Sequence, residues 1–233
     1  PAGKYGATTG LGTSTCSGNV GPGYWSRERA DRVNPTSLAS HNGERCPPGR
    51  FGAGGASSSS CSGPCQAGYY CPIGSGSATQ TACGGPDKYC PTGSSSTTSV
   101  STGYYTTPTA AATANFRSGQ VQCEPGNSCN NGIRTPCAAG RFQATAGATS
   151  CSGTCNAGFF CPVGSSVGSA QPCGGPDKYC PAGRGTPITV SSGFYSTPES
   201  APTTQRTGQA RCAEDEFCSG GTRTKRITFP TRC

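Results

Sequence analysis

The chain has 233 residues, among them 18 Cys, 37 Gly, 20 Pro, one His, one Trp and no Met, and carries a formal net charge of +8. Apolar residues reach only 31% with Cys counted, far below the roughly 45–50% of ordinary globular domains, so one large hydrophobic core is excluded. The cysteine load excludes a reducing compartment, and nowhere do the ~20 consecutive apolar residues of a membrane helix occur.

Residues 1–45 read as a shortened cysteine-rich repeat. Pro1-Ala-Gly-Lys-Tyr-Gly matches Pro47-Pro-Gly-Arg-Phe-Gly, and Cys16-Ser-Gly matches Cys61-Ser-Gly, but Val20 and Ser26 stand where a full repeat has Cys65 and Cys71. His41 lies in the polar stretch Ser-Leu-Ala-Ser-His-Asn-Gly, has no counterpart later in the chain, and reads as a surface-loop side chain. Asn34-Pro35-Thr36 is blocked as an N-glycosylation acceptor by its Pro. With no Met at residue 1, the expectation is a processed product or a piece of a longer chain.

Residues 46–136 form a full repeat, and residues 137–233 a second one that ends on the first Cys of a further copy. A shift of 90 places Cys61, Cys65, Cys71, Cys83 and Cys90 on Cys151, Cys155, Cys161, Cys173 and Cys180, and a shift of 89 places Cys123 and Cys129 on Cys212 and Cys218. Between them CGGPDKYCPTG becomes CGGPDKYCPAG. Short strands are expected at Gly68–Cys71, Val100–Thr106, Gly158–Cys161 and Val190–Ser196, where aromatic and β-branched residues meet between Gly/Pro turns. Sustained helical periodicity is missing. The predicted fold class is therefore a set of small disulfide-rich tandem repeats, made of short β-strands and loops with little helix, in an elongated array without a single large core.

The cysteines themselves suggest a pairing. All six inner cysteines are absent together from the shortened repeat, and disulfide partners are gained and lost as closed sets. The outer ones then pair with each other, Cys46 with Cys61 and Cys137 with Cys151. The inner sets are Cys65, Cys71, Cys83, Cys90, Cys123, Cys129 and Cys155, Cys161, Cys173, Cys180, Cys212, Cys218; their connectivity stays open, with a leaning to local pairs. Cys16 and Cys233 remain. Joining Cys233 to Pro1 restores the repeat heading Cys-Pro-Ala-Gly-Lys-Tyr-Gly, so Cys16 of one copy is expected to bond to Cys233 of the preceding copy.

Other chemistry is sparse. Zinc is disfavoured because no C-x-x-C occurs and His41 stands alone, so no metal and no cofactor is expected. The repeated pairs Asp87-Lys88 and Asp177-Lys178 sit in Gly-Gly-Pro turns, and no nucleophile, phosphate or calcium motif is present; catalytic residues are expected to be absent and the chain not to be an enzyme. Arg27, Arg29 and Arg32 and the run Arg223, Lys225, Arg226 are the only basic clusters, without the interleaved aromatics of a nucleic-acid surface. The pairs Tyr69-Tyr70 and Phe159-Phe160 read as caps over disulfides, with sugar-stacking platforms as the other reading. Clustered hydroxyls at Ser57, Ser58, Ser59, Ser60, Ser94, Ser95, Ser96, Thr97, Thr98, Thr106, Thr107 and Thr109 suit O-glycosylation.

At C-x-x-G-[YF]-[YF]-C-P-x-G (65–74 and 155–164), with CPPGRFG ahead of it, the chain resembles the ephrin-receptor-like cysteine-rich repeats. The likeness covers nearly all of residues 46–233 and, abbreviated, 1–45. It implies an extracellular or cell-surface stapled module used in receptors, adhesins and fibres, and carries no catalytic residues. Two functions follow as expectations. One is the structural repeat of an O-glycosylated filament or surface coat whose partner is itself, head-to-tail. The other is a ligand- or glycan-binding ectodomain module. Neither involves nucleic acid or a membrane span.

Overall fold

The computed structural model describes residues 2, 4–5, 18–26 and 44–226. Chain packing divides it into two compact units, one of Pro1–Val121 with Asn131–Ile133 and one of Gln122–Asn130 with Arg134–Cys233. The described residues are almost entirely antiparallel two-stranded hairpins. In chain order these are β1 (Lys4–Tyr5) with β2 (Gly18–Asn19), β3 (Tyr24–Trp25) with β4 (Glu44–Arg45), β5 (Arg50–Phe51) with β6 (Gly63–Pro64), β7 (Tyr69–Tyr70) with β8 (Thr81–Ala82), β9 (Lys88–Tyr89) with β10 (Thr98–Ser99) and β11 (Tyr104–Thr107) with β12 (Gly119–Gln122). The series continues with β13 (Asn127–Asn130) and β14 (Ile133–Pro136), β15 (Arg141–Phe142) and β16 (Gly153–Thr154), β17 (Phe159–Phe160) and β18 (Gln171–Pro172), β19 (Lys178–Tyr179) and β20 (Ile188–Thr189), β21 (Phe194–Thr197) and β22 (Gly208–Arg211), and β23 (Glu216–Ser219) and β24 (Thr222–Lys225). No α-helix occurs among the described residues; two single 3-10 turns lie at Ala111–Thr113 and Thr203–Gln205.

Each full repeat of the sequence is therefore five hairpins, a finer period than the 90-residue one. Most first strands start immediately after a glycine of positive φ, for example Gly49 (83°), Gly68 (85°), Gly140 (86°) and Gly158 (84°), a conformation costly for residues with a Cβ. The tail hairpins turn on two residues, Asn131-Gly132 and Gly220-Gly221, all with positive φ; this is the turn that matches the twist of the flanking strands.

Two of the expected strands begin later than their sequence suggests. Ser101 to Gly103 and Ser191 to Gly193 are turns, closed by Tyr104 N–H donating to Ser101 O (3.1 Å) and Phe194 N–H to Ser191 O (3.0 Å). The β-branched Val100 and Val190 thus lie outside the strands: their N–H groups donate to Asp87 O and Asp177 O (2.8 Å each).

No single large core forms. Sulfur fills the centres of the hairpins: Cys46, Cys65, Cys71, Cys90, Cys123, Cys155, Cys161 and Cys180 are fully buried. Cys46 is bonded to Cys61 and Cys137 to Cys151, and the inner cysteines are joined locally as 65–71, 83–90, 123–129, 155–161, 173–180 and 212–218. Loops of 6 to 15 residues are closed, each restricting the unfolded chain by about 2–3 kcal/mol. Trp25, only 3% exposed, packs with Ala56 on the Cys46–Cys61 pair and is the one large aromatic in a buried cluster of the described residues.

Candidate functional site: the junctions between repeats

The structure repeats one backbone connection from hairpin to hairpin. The glycine before a first strand donates its N–H to the next hairpin, Gly49 to Cys71 O (2.8 Å) and Gly68 to Cys90 O (2.8 Å) in the first unit, Gly140 to Cys161 O (2.9 Å) and Gly158 to Cys180 O (2.8 Å) in the second. Three residues on, a second N–H does the same: Gly52 to Ser75 O (2.9 Å), Cys71 to Ser94 O (2.9 Å), Gln143 to Ser165 O (3.2 Å) and Cys161 to Arg184 O (2.9 Å). These bonds involve main chain only, so they tolerate any side chain that leaves the glycine in place.

Where one repeat gives way to the next, the connection is more extensive. In the first unit, β5–β6 lies on residues 20–26: Gly23 N–H donates to Gly52 O (2.7 Å), Ser26 N–H to Ala56 O (3.0 Å), Gly55 N–H to Val20 O (2.8 Å) and Cys46 N–H to Gly23 O (2.8 Å). In the second unit, β15–β16 lies on residues 123–129 in the same way. Gly126 N–H donates to Gln143 O (2.8 Å), Cys129 N–H to Ala148 O (2.9 Å), Gly147 N–H to Cys123 O (2.8 Å) and Cys137 N–H to Gly126 O (2.9 Å). Neither Gly23 nor Gly126 could carry a Cβ, which would overlap the carbonyl of Gly74 or Gly164.

A third stretch, residues 212–218, has the same place in its repeat. Its Arg226 N–H donates to Asp215 O (2.7 Å) as Cys137 does to Gly126. The remaining three bonds have no counterpart among the described residues. Cys123 and Cys129 are 0% and 1% exposed, whereas Cys212 and Cys218 are half-buried, and Phe217 beside them is 62% exposed.

The invariant GGPDKYC segment has a packing role in both repeats. Pro176 O abuts Gly221 and Pro86 O abuts Gly132, in each case too closely for a Cβ. Thr106 Oγ1 donates to Pro86 O (2.6 Å), and Ser196 N–H to Gly221 O (2.9 Å). Asp177 and Lys178 form an exposed ion pair (3.5 Å), and Lys178 Nζ also donates to Thr189 Oγ1 (2.9 Å).

Charged groups differ between repeats. Arg223 is held by Glu199 (2.6 Å) and Glu216 (3.0 Å) and lies over the Tyr195 ring, 4.6 Å from its centre. The Glu199 hydrogen bond, ahead of the electrostatic attraction of the two carboxylates, raises its pKa further above the usual value. Arg134, at the matching position of the first repeat, pairs with Glu124 at 3.4 Å. Arg117 and Arg206 occupy equivalent buried positions; Arg206 Nη1 donates to Pro198 O, while Nε of both and Nη1 of Arg117 lack hydrogen-bond partners. Burial without a carboxylate lowers the Arg117 pKa.

Among the expected glycosylation positions, Ser57 to Ser60, Ser95, Ser96, Thr98 and Thr109 are exposed, and Ser94, Thr97 and Thr107 are half-buried. Thr106 must be withdrawn: it is 1% exposed and its hydroxyl is committed to Pro86 O, leaving no room for a sugar in the folded chain. Tyr69, Tyr70, Phe159 and Phe160 are half-buried, and Tyr69 packs on Phe116 with ring centres 5.1 Å apart. Cys16, Cys233 and His41, and with them the Cys16–Cys233 link, lie outside the described residues.

No known family model matches this chain, and no curated protein sequence is significantly similar to it. The eight disulfides among the described residues agree with a secreted or extracellular setting.

Proposed function

We propose that the chain is a structural, non-catalytic repeat of an extracellular filament or cell-surface coat, O-glycosylated on its exposed Ser/Thr clusters. The observation that carries this reading is the junction: one set of main-chain bonds recurs at two repeat boundaries. A contact made of backbone groups and glycines extends an array without requiring a tailored interface at each step, as in other nearest-neighbour repeat architectures. The resemblance to ephrin-receptor-like repeats supports the same setting. A head-to-tail contact of this kind does not close on itself and propagates as a filament.

The test is electron microscopy of the native material together with mass mapping of unreduced peptides. Filaments with a regular axial repeat, and glycopeptides covering residues 57–60 or 94–98, are the expected result. A monodisperse monomer with no axial repeat and bare hydroxyls overturns the proposal.

A further inference from the structure

We infer that the Arg117 guanidinium is the binding group of a small free oxyanion, of the size and charge of sulfate, and that Arg206 forms a weaker copy of the same site in the second repeat. The site goes beyond the filament reading and does not depend on it.

Both arginines are held in one backbone frame. Arg117 O accepts the Cys90 N–H (2.9 Å), and the next residue, Ser118, donates its N–H to Thr107 O (2.7 Å); Arg206 O accepts the Cys180 N–H (2.8 Å), and Thr207 N–H donates to Thr197 O (2.8 Å). The loops closed in this way, residues 108–116 and 198–205, are tethered at their far ends. Asn115 O accepts the Gly84 N–H (3.1 Å) and the Phe116 ring lies on Tyr69, while Thr204 O accepts the Gly174 N–H (3.3 Å). The arginines therefore stay more than nine-tenths buried, Arg117 at 7% and Arg206 at 8% exposed.

The two sites differ in what satisfies the guanidinium. Arg206 Nη1 donates to Pro198 O, which leaves only its Nε as a buried nitrogen without a partner. Pro108 O, the matching carbonyl, instead accepts from Thr113 Oγ1 (3.2 Å), and Arg117 has neither Nε nor Nη1 bonded among the described residues. Loop 108–116 contains no Asp or Glu. Glu199, the one carboxylate of loop 198–205, is held by Arg223.

A buried charge needs a countercharge, and an arginine, unlike a lysine, cannot shed its proton to escape the cost. Orphaned N–H groups at the same place in two repeats mark where that countercharge binds. A guanidinium edge matches the oxygens of an oxyanion bidentately, and the formal net charge of +8 draws anions to the chain. Burial sets the size: with 7% of Arg117 exposed, an ion of a few atoms can reach the guanidinium, whereas a sulfate ester must bring its sugar ring with it.

The experiment uses the full isotope-labelled chain, with sodium sulfate as the probe, sodium chloride at equal ionic strength as reference, and dextran sulfate as the ester. The Nε–H signals of Arg117 and Arg206 are followed by NMR. Expected is a saturable shift of both with free sulfate alone, with Arg206 binding at least about three-fold more weakly because one fewer N–H is left open. Arg117→Gln should weaken the calorimetric sulfate affinity by at least about ten-fold. Arg211→Gln, which removes the same charge from an exposed position, should leave it within about two-fold. An Arg117 signal that sulfate does not move overturns the inference, since water alone then hydrates the guanidinium. An equal shift in chloride overturns it as ionic screening, and a shift with dextran sulfate but not with free sulfate overturns it in favour of the ester. Equal or reversed affinities overturn the part assigned to Nη1. Should Arg117→Gln fail to fold, the signals of the unaltered chain decide.

Discussion

The hairpins β13–β14 and β23–β24 occupy the same place in successive repeats, yet one has a fully buried disulfide and the other a half-exposed one. The difference does not arise inside the hairpins. Both are stapled across six residues and both turn on two residues of positive φ. What differs among the described residues is whether a following hairpin lies on top, as β15–β16 does on residues 123–129. Burial in this molecule belongs to the junction more than to the element.

The largest effect should come from the staples. Replacing Cys123 and Cys129 together by Ala removes a buried disulfide and should cost about 2–5 kcal/mol, read as loss of hydrogen-exchange protection at Gly126 and Cys137. The same change at Cys212 and Cys218 should cost less, because among the described residues no hairpin lies over that disulfide. Equal costs would break the comparison.

Next come the glycines. Gly126→Ala meets the Gly164 carbonyl as well as an unfavourable positive φ, whereas Gly193→Ala has the same kind of φ (79°) but open space around it. The second should cost only the left-handed strain of about 1–2 kcal/mol, and the first clearly more. Denaturant unfolding of the two variants checks the order.

A smaller effect is expected at the buried hydroxyl. Thr106→Val leaves Pro86 O without its side-chain donor, and an unsatisfied buried acceptor costs about 1–3 kcal/mol; Thr109→Val, at an exposed position, should be neutral. The smallest effect concerns the copy-specific charges. Glu199→Gln loosens the hold on Arg223, but this is an exposed pair, so any change in stability should be slight and should vanish as salt is raised.

Several features were legible in the sequence because they are local or combinatorial. The 46–61 and 137–151 pairs follow from cysteines missing as a set, and the aromatic strand starts at Tyr69 and Phe159 from Gly-aromatic pairs between turns. The finer hairpin period was hidden because only glycine spacing records it: C-x-x-G recurs at 46–49, 65–68, 71–74, 123–126, 137–140 and 155–158, among others, while the intervening side chains vary. Asn131-Gly132 was a readable two-residue turn signal that the cysteine pattern overshadowed. Thr106 was misread because its polar cluster looks solvent-exposed in sequence, whereas the fold brings Pro86, twenty residues earlier, against its hydroxyl.

By itself the sequence determined composition-level facts: an oxidising setting, a staple-dependent fold, a repeat and its outer disulfides, since these follow from residue counts and register. Only the tertiary structure decided which main-chain groups carry the junctions and which glycines have no room for a side chain. Backbone donors and acceptors are the same at every residue, so no sequence pattern names their partners until the chain has folded and the distances are set.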